Sequence, residues 1–290
     1  MRISGATARS KAETREYCCE ARYLCCQIIP TSTEEMPQYF LFSDAHLGAP
    51  GRPDDHQREQ KIIDFLHHVK QAGDGLFIVG DLFDFWFEYR HAIPNRHFAV
   101  LAKLYELRQA GMPIDYLAGN HDLWVGDYFR TQIGLTLHAE GITRELCGYR
   151  CFITHGDGAA KRDSGYRLLK RIMKHPVNIF LYRLLTPDLG VPLAKSMSHT
   201  SRTLVQSDAR WERDYRAYAT NKLAEGYDVV MMGHTHQPKV EQINGKTFIN
   251  LGDWMTHFTY CKIDEHGPQL LKWNETIASP AQAARRRVQA

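Results

Sequence analysis

The feature that most constrains this chain of 290 residues is a recurrence: short apolar runs that each end on an acidic, amide or imidazole side chain. Tyr39-Phe-Leu-Phe-Ser43 runs into Asp44-Ala-His46, Gly75–Val79 into Gly80-Asp81, and Ile114–Leu117 into Gly119-Asn-His-Asp122. Further along, Arg150–Thr154 runs into His155 and Asp228–Met232 into Gly233-His-Thr-His236. Apolar runs of this length, bounded by turn formers, read as buried strands. Side chains two apart on a strand share a face, so Asp44 and His46 are expected to be presented together. The segments between read as helices: 57–72, with Ile62, Ile63, Phe65, Leu66 and Val69 at helical spacing, and 96–110, stopped by Gly111 and Pro113. Asn244-Gly245 marks a hairpin between 239–243 and 246–250. Strands alternating with helices and closing on a hairpin predict an α/β layered fold.

Open α/β sheets place their binding crevices at the C-terminal ends of strands, where each of these polar groups falls. Asp44, His46, Asp81, Asn120, His155, His234 and His236 form a mixed oxygen and nitrogen set suited to manganese, iron or zinc. It is too rich in histidine for calcium and too poor in thiolate for a soft metal. Seven groups exceed one tetrahedral site; with one carboxylate shared they would serve two ions, a device for phosphoryl transfer. The glycines before Asp81, Asn120 and His234 suit sharp turns, so part of the pattern is structural. Five such elements in one chain point to a site.

Charge is unevenly placed. The formal net charge is +3, yet residues 161–216 hold twelve Lys and Arg against five Asp and Glu, so the rest is acidic. That segment interleaves its basic residues with Leu, Ile, Phe, Met and Tyr and is punctuated by Pro176, Pro187 and Pro192, which predicts short amphipathic helices. A basic stretch in an acidic body points to a local anionic partner and not to nucleic-acid binding. No run approaches the ~18 apolar residues of a membrane helix. Residues 1–35 carry no amphipathic period and are expected to be a disordered leader, or an extension upstream of a start at Met36. The Arg-rich tail 276–290 is expected to be disordered. Cys18, Cys19, Cys25 and Cys26 have neither a usual zinc spacing nor, in a cytosolic protein, the setting of a disulfide framework.

The series Asp44-x-His46, Gly80-Asp81-x-x-Asp84, Gly119-Asn-His-Asp122, His155-Gly-Asp157 and Gly233-His-Thr-His236 resembles the calcineurin-like metallophosphoesterases over about residues 38–262. The resemblance implies an α/β/β/α sandwich over 36–275 with 161–216 as an inserted helical lid. It implies one metal on Asp44, His46, Asp81 and His236 and a second on Asp81, Asn120, His155 and His234. It gives His121 the place of a histidine that contacts phosphate and protonates the leaving oxygen, with Asp122 orienting it or a ligand histidine. Gly80-Asp-Leu-Phe-Asp-Phe-Trp86, His155-Gly-Asp-Gly158, Asp163-x-Gly-Tyr166 and Leu251-Gly-Asp-Trp254 are similar, more finely, to the UDP-2,3-diacylglucosamine hydrolases of lipid A synthesis. Many of those carry Arg where this chain has His121, the residue of the wider superfamily. That family implies two Mn²⁺ ions, a UDP-linked acylated glucosamine as substrate, and substrate contacts near Asp163, His199 and Arg202. It implies a bacterial cytoplasmic enzyme peripheral to the inner membrane. Other readings are a phosphodiesterase or phosphatase of different specificity, and a scaffold that keeps the fold without the chemistry.

Overall fold

The structure, a computed structural model, describes residues 36–49, 55–160, 164–194 and 209–274. Residues 1–35 and 276–290, the four N-terminal cysteines, and the candidate substrate contacts Asp163, His199 and Arg202 lie outside the described residues. Among the described residues no helix is long and apolar enough to cross a membrane.

Two sheets form the middle layers. In the first, β1 (Tyr39–Phe42), β2 (Gly75–Val79), β3 (Ile114–Leu117) and β4 (Thr136–His138) run parallel. In the second, β6 (Tyr149–Thr154), β7 (Val229–Met232) and β9 (Lys246–Asn250) run parallel. Its antiparallel edges are β5 (Ile142–Leu146) and β8 (Lys239–Ile243), giving the order β5-β6-β7-β9-β8. The hairpin β10 (Thr259–Asp264) and β11 (Gly267–Lys272) then returns to the first sheet beside β1, for an order β11-β10-β1-β2-β3-β4.

The period-two alternation of each central strand feeds two cores at once, as strands buried on both faces require. Leu41, Phe77, Val79 and Leu117 meet Cys151, Ile153, Val229, Met231 and Ile249 between the sheets. The other faces of β1 and β2, through Phe40, Phe42, Leu76 and Ile78, lie under α1 (Asp55–Ala72) and α2 (Phe98–Gln109). The outer face of the second sheet, through Phe152, Val230 and Met232, is covered by Tyr215, Ala219 and Leu223 of a helix at Ala209–Ala224. The result is the four-layer α/β/β/α sandwich. That last helix begins inside the stretch read from sequence as an insert, yet it belongs to the outer layer.

The strands and helices that carry the polar motifs fall within two residues of their expected bounds. The sequence reading missed β4, β5, β10, β11 and one π-helical turn at Phe129–Ile133. β4 has three residues, too few to display a period, and β5 alternates only weakly, burying Ile142 and Leu146 at its ends. Between the sheets' strands the basic segment forms α3 (Ser164–Met173), α4 (Pro176–Arg183) and a further helical stretch over 187–194. α4 buries no residue. Leu168, Leu169, Ile172, Phe180, Leu181 and Leu184 are all exposed.

Candidate metal centre

The loops that leave β1 and β2 stay paired: Asp44 N–H donates to the Gly80 carbonyl (3.1 Å), His46 N–H to Asp81 (2.9 Å) and Leu47 N–H to Leu82 (3.0 Å). β1 ends at Phe42, so Asp44 and His46 do not share a face through strand pleat. Both adopt left-handed backbone (φ 55° and 44°), as do Asp81 (54°), His234 (70°) and His236 (58°). Non-glycine residues rarely sit there, and such strained positions gather at functional sites. The backbone of the neighbouring loops comes unusually close. A Cβ on Gly119 would fall on Asp81 Oδ1, and one on Gly233 would collide with Ser43 Oγ and Asp44 Oδ2, so neither position admits a side chain.

These turns gather the seven side chains into two groups. In the first, Asp44 Oδ1 lies 3.5 Å from His46 Nε2 and 3.3 Å from His236 Nε2, and the two imidazole nitrogens are 3.1 Å apart. In the second, Asp81 and His155 join His234, with ligand atoms all within 4.8 Å of one another. Asn120 Oδ1 stands 3.2 Å from His155 Nε2. Asp81 Oδ2 is 3.6 Å from His46 Nε2 and 3.3 Å from His155 Nε2, so one carboxylate oxygen lies between the groups.

The donor chemistry fits divalent cations. His155 Nδ1 donates to the Val79 carbonyl (2.9 Å), which leaves Nε2 as the lone-pair nitrogen facing Asp81 and Asn120 oxygens. Asp44 Oδ1 is buried and accepts no hydrogen bond, while Oδ2 is held by Ser43 Oγ (2.6 Å) and His234 N–H (2.8 Å). A buried cluster of acceptors facing acceptors requires positive charge. Without a metal, protons supply it. Burial alone would lower the pKa of His46, but the carboxylates of Asp44 and Asp84 beside its ring and the charge of Asp81 push it up to about 9. His155 likewise rises despite its burial, because Asp81 lies beside it. Burial would raise Asp44 and Asp81, yet the histidines around them hold both below the carboxylate range. His234 goes the other way, lowered to about 4 by burial and by the charge on His155.

His121 sits against the first group, its ring 4.6 Å from that of His46 and nearly perpendicular to it. Its Nδ1 donates to the Asp84 carbonyl (3.1 Å) and lies 3.5 Å from Asp84 Oδ1, while its backbone N–H donates to Asp81 Oδ1 (2.9 Å). Asp84 also faces His46 Nδ1 at 3.6 Å. Sequence reasoning left Asp84 without a role, although its three-residue spacing from Asp81 was visible. Asp122 does something other than orient an imidazole. Its oxygens accept from Gly119 N–H (2.8 Å), Leu82 N–H (3.0 Å) and the Tyr116 hydroxyl, which ties the Asp81 loop to the Asn120 loop. Burial and the neighbouring Asp81 push its carboxyl up to about 6. Arg58 of α1 was also missed: buried, it donates to the carbonyl of Ala45 (3.2 Å), between two members of the first group. No local signal distinguishes it from a surface arginine on a helix.

A model of the calcineurin-like phosphoesterase superfamily domain matches residues 192–264. The UDP-2,3-diacylglucosamine hydrolase of Porphyromonas gingivalis is 30% identical over 246 residues, covering 78% of this chain and 93% of that protein. The chain therefore belongs to the calcineurin-like phosphoesterases, and it is a metal-dependent hydrolase of that class. Within the class it is similar to further proteins of the same name. That of Pseudomonas fluorescens is 30% identical (83% of this chain, 98% of that protein), and that of Pectobacterium carotovorum is 31% identical (73% and 90%).

Proposed function

We propose that the protein hydrolyses the pyrophosphate bond of UDP-2,3-diacylglucosamine by water attack at the α-phosphorus. The products are UMP and 2,3-diacylglucosamine 1-phosphate, on the route to lipid A. The observation that carries this reading is the juxtaposition of an oxygen and nitrogen cluster, buried at strand ends, with helices whose leucines are exposed among lysines and arginines.

In this reading Asp44, His46, Asp81 and His236 hold one ion and Asp81, Asn120, His155 and His234 the other, both Mn²⁺. Divalent ions bound there supply Lewis acidity to phosphoryl oxygens and acidify water. The chain's own groups set the rest. Asp84 engages Nδ1 of His121, so a proton passed to the leaving oxygen is held at Nε2. Asp122 and Ser43 keep the loops at their spacing. Lys174, half-buried in the turn after α3 with Asp157 and Glu140 nearby, adds a cationic group beside the site for an anionic headgroup. The exposed side chains of α3 and α4 take the acyl chains and rest on an anionic inner-membrane surface, from the cytoplasmic side. Asp163, His199 and Arg202 complete the substrate contacts.

Incubation with UDP-2,3-diacylglucosamine and Mn²⁺ tests the reading: UMP should accumulate and depend on the metal. A protein that cleaves bis-p-nitrophenyl phosphate but releases no UMP is a phosphodiesterase of other specificity.

A further inference from the structure

The apolar residues of α3 do not attach it to the sandwich, for Leu168, Leu169 and Ile172 are 57%, 44% and 49% exposed. Polar ties do. Lys170 Nζ and the Tyr166 hydroxyl both reach Asp157 Oδ2, each at 2.6 Å. Arg167 donates to the carbonyls of Gly158 (3.1 Å) and Ala160 (2.8 Å). At the far end of the helix, Trp124 Nε1 donates to the Met173 carbonyl (3.0 Å). Asp157 is two residues beyond His155, and Trp124 is three beyond His121. A single ten-residue helix thus spans two loops: its body is tied to the loop of His155, and its end to the loop of Asn120 and His121. Those loops meet where His155 Nε2 and Asn120 Oδ1 stand 3.2 Å apart.

The Lys170–Asp157 pair is largely withdrawn from solvent, with side chains 17% and 5% exposed. A pair so placed is weakly screened, and removing one partner strands the other charge. We propose that Lys170 is a positioning residue: through Asp157, and with Trp124 at the opposite end, it braces the His155 and Asn120 loops from helix α3. The seating of the lid then sets the geometry of the second metal group. This rests on the reading that Asn120, His155 and His234 hold an ion.

The test uses the full chain, Mn²⁺ titration followed by electron paramagnetic resonance, and turnover of bis-p-nitrophenyl phosphate, a diester without acyl chains. Lys170→Met should weaken one of the two ions about tenfold or more and slow the small diester by a similar factor, as loss of a residue behind a ligand does. KM for the diester should stay within about twofold, because the effect is on the loops and not on binding. Lys170→Arg should restore most of both. Asp157→Asn should be at least as severe as Lys170→Met, since it also weakens the bond from Tyr166, and the double variant should be no worse than Asp157→Asn alone. Two ions bound with unchanged affinity in Lys170→Met overturn the proposal. So does a variant slowed only on the acylated substrate, which would make Lys170 a substrate contact. If Lys170→Met does not fold, Trp124→Phe removes the indole N–H tie while keeping an aromatic ring against Phe87 and Tyr182, and unchanged metal affinity there overturns the brace. A wild-type protein that takes up no pair of ions overturns the metal-group reading and the brace with it, and shows itself before any variant is made.

Discussion

Helices α1 and α3 are both amphipathic, and they do opposite things with their apolar side chains. α1 buries Ile62, Phe65, Leu66 and Val69 against the first sheet, where the Phe65 ring meets Phe40, Phe42, Trp254, Tyr260 and Trp273. α3 leaves its leucines in solvent and is held by Lys170, Tyr166 and Arg167. A helical period therefore says that one face is apolar and leaves open what the face meets. In the sandwich it meets a sheet, which makes stability. In α3 it stays about half exposed, which in the proposed reading leaves it for a ligand.

The largest effect expected on this contrast comes from its catalytic side. Asp81→Ala removes the oxygen between the two groups and should reduce turnover of both the lipid and the small diester to background. A substantially active variant, measured on either substrate, would remove Asp81 from the centre. Next comes packing. Phe65→Ala should cost about 3–5 kcal/mol of unfolding free energy, whereas Phe180→Ala, on the exposed lid, should stay within about 0.5 kcal/mol. Denaturant melts that gave equal losses would erase the distinction between the two helices.

A third prediction concerns pH. A divalent ion needs His46 unprotonated, and in the metal-free protein its proton is held up to about 9. Metal uptake at neutral pH should release protons, and apparent affinity should climb roughly tenfold per pH unit until about pH 9. The metal-free fold should show the reverse sign. A raised histidine stabilises it fully below 6.5, and that contribution is lost as pH rises through about 9. Titration calorimetry in buffers of different ionisation heat reads the first, and melts of chelated protein read the second. Smallest is the lid itself. Leu184→Asp should raise KM for the acylated substrate about tenfold, the scale of one partly buried leucine, without touching the small diester. Equal loss on both substrates would mean that α4 does not contact acyl chains.

The layer architecture was legible because its central strands are buried on both faces and announce themselves as apolar runs. The polar groups were legible because each sits one to four residues past such a run. What the sequence did not disclose is mutual support. Arg58, Asp84, Asp122 and Lys170 act on residues 13 to 40 positions away; nothing local distinguishes Arg58 and Lys170 from solvated charges, and the motifs that hold Asp84 and Asp122 do not say what those two support. Asp44 and His46 are neighbours, as strand period implies, but through left-handed backbone beyond the strand and not through its pleat.

That backbone has a consequence for metal choice. Aspartate and histidine are among the few side chains that tolerate left-handed φ, and they are also hard and borderline ligands. At Asp44, His46, Asp81, His234 and His236 the fold and the ion thus select from the same short alphabet. Exchanging these positions for cysteine, to favour a softer metal, would have to overcome the conformational preference of the chain before any gain in coordination. In the proposed two-metal reading, torsion angles as well as donor atoms confine the centre to its range of metals.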